Sequence, residues 1–366
     1  MTRPATVVVD LDALRHNYRQ VRHLAPGCRV MAVVKADAYG HGLTTMARAL
    51  STPGNGADAF GVACLEEAEA LREVGIGQPI VVLEGPFERQ EVPRLQQLGI
   101  GMVLHQAGQL EMLGGLLPSP PVTVWLKVDS GMHRLGFPPA EVAAIHRRLL
   151  AHPAVGEVRL MTHLACANDR DDDSVASQIE CFEAAVRGLS GERSIANSAA
   201  LLAYPRSHAD WVRPGLALYG VSPFPGERGP ASGLRPVMGL HSRLIAVHRL
   251  QAGDPVGYGA AWRCPEAMPV GVVAIGYGDG YPRHARSGTP VLVEGVRASL
   301  IGRPSMDMLT VDLRAVPGAG VGSPVTLWGE GLPVEEVAEC ADTIPYELLC
   351  AVGRRARIHV RGAEKE

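Results

Sequence analysis

Between residue 30 and residue 219, short apolar runs alternate with stretches of helical periodicity. The runs at 30–34, 60–62, 80–83, 102–104, 122–128, 158–162, 194–196 and 216–219 lack polar alternation, the pattern of a strand buried on both faces. Helix-like segments such as 65–74 and 141–150 separate them. Ahead of the first run, Asp12 is a candidate cap for a helix with Leu14, Tyr18 and Val21 on one face, ending near Pro26 and Gly27. About eight strand–helix units predict an α/β fold built on a (β/α)8 TIM-type barrel, in preference to an open doubly wound sheet.

After about Gly233 the texture changes. Strand-like runs at 242–248, 270–275, 291–293, 299–301, 309–313 and 325–328 follow one another between Gly/Pro turns. Two short helical stretches close the pattern, 334–341 and 345–353, with Pro345 suited to a first turn and Gly353 to a C-terminal cap. The expected division is a barrel over residues 1–232 and a smaller, mainly β domain over 233–366.

Composition narrows the function classes. The chain is 46% hydrophobic and 20% charged, with a formal net charge of -3; no basic run suggests nucleic-acid binding. The apolar run near the start is too short for a secretory signal, and no stretch is long enough to cross a bilayer. Seven cysteines (28, 64, 166, 181, 264, 340 and 350) are scattered and never spaced as CxxC, which argues against a disulfide framework or a structural zinc site. The expectation is a cytoplasmic protein with reduced thiols and no metal.

The most informative segment is Val33-Val34-Lys35-Ala36-Asp37-Ala38-Tyr39-Gly40-His41-Gly42. Lys35 falls at the C-terminal end of the first expected barrel strand, the face where barrel enzymes carry their chemistry. On residue type alone, a solvated charge is the competing reading. Tyr39 and the two glycines leave room for a planar ligand against the backbone.

This segment resembles the cofactor-lysine signature of alanine racemases, and the likeness continues in order along the chain. It includes Trp125-Leu-Lys-Val-Asp-Ser-Gly-Met-His-Arg-Leu-Gly136, Thr162-His-Leu-Ala-Cys-Ala167, Ala196-Asn-Ser-Ala-Ala200 and Arg213-Pro-Gly-Leu-Ala-Leu-Tyr-Gly220. Val256-Gly-Tyr-Gly259, Gly276-Tyr-Gly-Asp-Gly-Tyr-Pro282, Gly302-Arg-Pro-Ser-Met-Asp307 and Pro345-Tyr-Glu-Leu348 follow in the second domain.

The resemblance implies interconversion of L- and D-alanine on pyridoxal 5′-phosphate by two bases, with D-alanine supplied to peptidoglycan. Lys35 resembles the lysine that holds the cofactor as a Schiff base and then acts as one base. Tyr258 matches the second base; an ordinary tyrosine, titrating near 10, needs help at neutral pH, and His163 matches the histidine that contacts it. Arg213 matches the arginine at the pyridine nitrogen, where a group that stays protonated donates a hydrogen bond but hardly a proton.

Tyr39 and Tyr346 resemble phosphate-contacting tyrosines. Asn197 and Ser198 at a helix start, and the backbone of Gly215 and Leu216, complete that set. Arg134 resembles the residue near the cofactor hydroxyl and the substrate carboxylate, while Met306 and Asp307 resemble substrate-positioning residues. Lys127 matches a position that is N-carbamylated in many relatives, so it is either a carboxylysine or an unmodified lysine. Pro304 departs from the family, where a small β-branched residue is usual; losing one N–H and fixing φ puts rate or substrate tolerance at issue.

The resemblance further implies a homodimer in which the β domain of one subunit completes the site of the other. Three rival readings compete, the blandest being a barrel enzyme without the cofactor, which would leave Lys35 unexplained. A decarboxylase of the same cofactor fold would carry a functional cysteine in the β domain, and Cys264, Cys340 and Cys350 lack that context. A non-catalytic pyridoxal-phosphate carrier would lack the β domain and hence Tyr258.

Overall fold

The computed structural model describes residues 3–52, 54, 56–353 and 355–363. The chain starts with a strand, β1 (Thr6–Asp10), and a helix, α1 (Leu11–Leu24). Eight parallel strands then close into a barrel in chain order: β2 (Arg29–Val33), β3 (Ala59–Val62), β4 (Ile80–Val82), β5 (Ile100–Leu104), β6 (Val122–Lys127), β7 (Val155–Met161), β8 (Arg193–Ser194) and β9 (Trp211–Val212). Pairing of β2 with β9 completes the ring. Around it lie α2 (Leu43–Ala49), α3 (Leu65–Glu73), α4 (Glu91–Gln97), α5 (Ala107–Met112), α6 (Val142–Leu150), α7 (Ser174–Ala185) and α8 (Ser198–Ala203).

The barrel interior is packed. Met31, Ala59, Val81, Val103, Trp125, Met161 and Trp211 form one buried cluster contributed by seven of the eight strands. Trp125 meets Trp211 edge to face at 5.6 Å, and the Arg159 guanidinium lies over both rings. Removing each such side chain from water stabilises the fold by roughly 1.5–3 kcal/mol.

Two expectations about local structure are corrected. The eighth barrel strand is β9, and Leu216–Tyr219 is a short 3-10 turn. Ser198 Oγ accepts from Gly215 N (2.9 Å) and Ala217 N (3.2 Å), and Leu218 N donates to Gly215 O, so these groups bond outside any strand ladder. The cap of α1 is Asp10, whose Oδ1 accepts from Asp12 N (2.9 Å) and Ala13 N (3.0 Å); Asp12 lies inside the first turn.

The rest of the chain is mainly antiparallel. Its strands are β10 (Met238–Leu250), a small hairpin of β11 (Pro255–Val256) and β12 (Trp262–Arg263), β13 (Met268–Val273), β14 (Pro290–Val293), β15 (Val296–Ile301), β16 (Leu309–Asp312), β17 (Pro324–Trp328) and β18 (Arg357–Arg361). The long β10 pairs with β17 through its first half and with β13 through its second, so β10 and β13 to β17 form a closed ring. Helices α9 (Val334–Cys340) and α10 (Pro345–Ala351) follow; Pro345 opens α10, and Gly353, past its end, donates its N–H to Asp279 O.

By contacts, residues 17–218 and 223–225 form one compact unit, and residues 3–16, 219–222 and 226–363 the other. Residues 3–16, expected with the barrel, therefore belong to the β-rich unit. There β1 adds to the sheet, antiparallel to β10 and parallel to β18.

Candidate active site

The C-terminal ends of the barrel strands gather the charged side chains. Lys35 follows β2, Lys127 ends β6, Arg134 lies in the loop after it, His163 follows β7 and Arg213 follows β9. Arg213 is 5% exposed and fully engaged: Nη1 donates to Ser194 Oγ (2.6 Å), and Nη2 to Thr162 O (2.6 Å) and Ile195 O (3.3 Å). Burial lowers its guanidinium to about 10, so it is still a cation at neutral pH.

These cations act on one another. Lys127, 8% exposed, is lowered to about 8, first by burial and then by Arg213, Arg134 and Lys35; Glu84 opposes the shift. His163 is driven well below its ordinary value by burial and by Arg213, Lys127, Arg134 and Lys35. The imidazole is thus neutral. Arg213 Nη2 lies 3.4 Å from His163 Nδ1, and since a guanidinium only donates, Nδ1 is the acceptor and the proton belongs on Nε2. Like charges gathered around the buried Lys127 and Arg213 store repulsion that an anionic ligand relieves.

Backbone strain concentrates beside Lys35. Ala36, Asp37, Ala38 and Tyr39 all have φ of 53–55°, a left-handed turn that costs about 1–2 kcal/mol per residue. Neighbours hold it in place: Glu67 Oε1 accepts from Ala36 N (2.6 Å), and Asp37 Oδ1 from Leu43 N (2.7 Å). The turn brings the Tyr39 hydroxyl against Gly215, where any Cβ would collide with it. The loop carrying Arg134 is ordered by Asp129, whose Oδ1 accepts from Gly131 N (3.1 Å) and His133 N (3.0 Å). Gly136 passes so close to the Asp129 backbone that a side chain would not fit.

Asn197 caps α8 by accepting from Ala200 N (3.0 Å), and Ser198 is occupied by the Gly215 and Ala217 amides. The barrel mouth therefore brings together Lys35, Tyr39, Lys127, Arg134, His163, Asn197, Ser198, Arg213, Gly215 and Leu216. Glu67, Glu84 and Asp129 were missed by residue-level reasoning. Only Asp129 falls within one of the family-like motifs, and an isolated acid carries no periodic signal.

Tyr258, Met306, Asp307 and Tyr346 belong to the β-rich unit. Tyr258 opens a 3-10 turn after β11 and is 71% exposed, and Met306 is 53% exposed. Tyr346, near the start of α10, is pushed up to about 12 by burial. Pro304 is buried, and the turn after it is closed by Ser305 N to Met308 O (2.8 Å) and Met308 N to Ser305 Oγ (3.0 Å), bonds that do not use the N–H proline lacks.

Comparison with known proteins gives the same picture from outside. Family models for the alanine racemase N-terminal domain and C-terminal domain match residues 9–223 and 237–360. An alanine racemase of Halorhodospira halophila is 53% identical over 98% of this chain and 98% of its own length. The crystal structure of the biosynthetic alanine racemase from Pseudomonas aeruginosa superposes with a TM-score of 0.94 at 47% identity, covering 98% of this chain and 99% of that one. An alanine racemase from Bartonella henselae, crystallised with covalently bound pyridoxal phosphate, gives 0.89 at 29% identity over 98% and 99% of the two chains. Among the described residues no helix is long and apolar enough to cross a membrane. With both domains matched nearly end to end and a lysine-bearing cationic barrel mouth between the strand ends, the chain belongs to the alanine racemase family, amino-acid racemases of the isomerase class.

Proposed function

We propose that this protein racemises alanine with pyridoxal phosphate held on Lys35, using two bases, Lys35 and Tyr258. The observation that carries the reading is the cationic cluster at the barrel mouth, where burial, together with the charges of Arg213, Lys127, Arg134 and Lys35, keeps His163 neutral; Lys127 and Arg213 are buried, Lys35 is half-buried and Arg134 is exposed. That donor set fits the cofactor. A phosphate and a substrate carboxylate supply the anions that the four cations otherwise lack, and Arg213, pinned by Ser194 and Thr162, is a fixed donor for a ring nitrogen. When bound, the cofactor withdraws electrons from the substrate α-carbon and so acidifies its C–H bond.

The chain's own residues then decide the stereochemistry. Lys35 takes or returns the proton on one face, and the Tyr258 oxygen does so on the other. His163, neutral with its proton on Nε2, is able to donate a hydrogen bond to a phenolate and so favour the charged form a tyrosine base needs. Tyr39, Tyr346, Asn197, Ser198, Gly215 and Leu216 are assigned to the phosphate, and Arg134, Met306 and Asp307 to the substrate. Ser198 Oγ must share or release the Gly215 amide for that backbone to serve an anion. Lys127, with a substantial neutral fraction near pH 8, is chemically competent to add carbon dioxide at its amine and release one N–H proton to solvent, and the resulting carbamate charge would orient Arg134.

The division of labour follows the two units: the barrel binds the cofactor, and the β-rich unit supplies the second base. Tyr258 and Met306 are exposed in the single chain, which supports a homodimer with shared sites. The setting proposed is the cytoplasm, with D-alanine delivered to peptidoglycan. Mixing inactive Lys35→Ala with inactive Tyr258→Phe subunits tests the sharing. Partial recovery of activity is expected; no recovery after verified subunit exchange contradicts it.

A further inference from the structure

We infer that Arg3, Asp279 and Arg355 form a clamp that positions Met306 and Asp307, making them positioning residues for the substrate contacts assigned there. The inference rests on the alanine racemase reading above. Asp279 has no exposed side-chain surface, and its carboxylate is fully engaged. Arg3 reaches it with Nη2 (2.8 Å) and Nε (3.3 Å), Arg355 Nε lies 3.5 Å away, and Gly276 N donates at 3.0 Å. An ionised carboxylate at such a position is costly unless its oxygens are satisfied in this way.

Both arginines also reach the neighbouring segment. Arg3 Nη2 donates to Asp307 O (2.6 Å), and Arg355 Nη2 to Asp307 Oδ1 (2.5 Å). The second bond holds the Asp307 carboxyl below its usual range. The backbones are joined as well, through Tyr277 N to Ser305 O (3.0 Å) and Gly278 N to Met306 O (2.9 Å). Gly276 and Gly278 permit this approach, since a Cβ on either would collide with the 305–306 backbone or with Arg355.

Two cations and two carboxylates make the cluster neutral overall, so it adds no net charge beside the site. Its consequence is geometric. Arg3 fixes the Asp307 carbonyl and Arg355 its carboxylate, and both are referred to one buried anchor, Asp279. Each arginine is a fork that meets two partners at once, which a lysine cannot reproduce. A well-packed apolar cluster could hold the segment against the sheet equally well but would not set the direction of a carboxylate.

The test uses the cofactor-loaded enzyme and the variants Arg3→Met, Arg355→Met, Arg355→Lys and Asp307→Asn, with L-alanine kinetics, cofactor absorbance and thermal denaturation read together. Arg3 and Arg355 are 27% and 43% exposed, but each variant takes a partner from the buried Asp279, so thermal denaturation must show the variants folded at the assay temperature. Each methionine variant should lose about ten- to a hundredfold in kcat/KM, mainly through KM, with cofactor absorbance unchanged. Arg355→Lys should recover part of the loss. Arg355→Met combined with Asp307→Asn should be no worse than the worse single variant. The clamp is overturned if both methionine variants stay within about twofold of wild type in kcat/KM, or if the Arg355 and Asp307 losses multiply in full. Wild-type enzyme that fails to racemise alanine would instead defeat the functional reading; active wild type with unaffected variants defeats only the clamp.

Discussion

The barrel mouth hides Arg213 and Lys127, whereas the β-rich unit displays Tyr258 and Met306. Arg213 and Lys127 are 5% and 8% exposed; burial lowers the proton affinity of both, and Arg213, Arg134 and Lys35 lower that of Lys127 further. Tyr258 and Met306 are 71% and 53% exposed, and the adjoining Asp307 is steered by surface-accessible arginines. One half is a preorganised pocket whose repulsion awaits an anion. The other is a set of side chains held in place at the surface. That contrast fits the proposed site shared between subunits, and each half can be tested separately.

The largest effect is expected from the exposed half. Tyr258→Phe should lower racemisation on the order of 10²- to 10⁴-fold, the usual contribution of a positioned base. Exchange of the α-proton of D-alanine should persist if Lys35 serves that face as proposed; exchange confined to L-alanine would reverse the assignment of faces.

The buried half makes a prediction about pH. Lys127 titrates at about 8 in the fold and near 10.4 unfolded, so the fold penalises the protonated form. The penalty is present in full below pH 8 and is relieved as pH rises from there toward 10.4. In carbon-dioxide-free buffer the midpoint of thermal unfolding should therefore gain relative to Lys127→Met across that window; parallel profiles would contradict the buried cationic environment. Away from both halves, Asp10→Ala removes the cap of α1 and should cost about 1–2 kcal/mol, a few degrees in Tm, with kcat/KM unchanged. A matching loss of activity would mean the two halves are not insulated from this end of the chain.

Much of this architecture is legible in the sequence where the signal is local. Six of the barrel strands overlap the apolar runs expected there, whereas β8, Arg193–Ser194, shares only Ser194 with the run expected at 194–196. The eighth strand overlaps no such run, because β9 spans only Trp211–Val212, while the more apolar Leu216–Tyr219 is diverted into a turn by Ser198. Likewise β1 pairs with residues more than two hundred positions away, and nothing at residues 6–10 signals that partner. At the site, Lys35, His163, Arg213 and Tyr258 stand out only as members of a series. Ala36, Asp37 and Ala38 would read as ordinary helix formers, yet Glu67 and the Asp37–Leu43 bond hold them left-handed. The Arg3–Asp279–Arg355 cluster joins both ends of the chain, a juxtaposition visible only in three dimensions.

The central claim is two bases on opposite faces of one carbon. Incubating the cofactor-loaded protein with L-alanine in deuterium oxide, and following D-alanine and α-deuterium by chiral chromatography with mass detection, tests it most directly. The account predicts labelled D-alanine at a turnover on the order of 10 s⁻¹ or above. Deuterium incorporation without inversion would leave a single working base and contradict the role given to Tyr258.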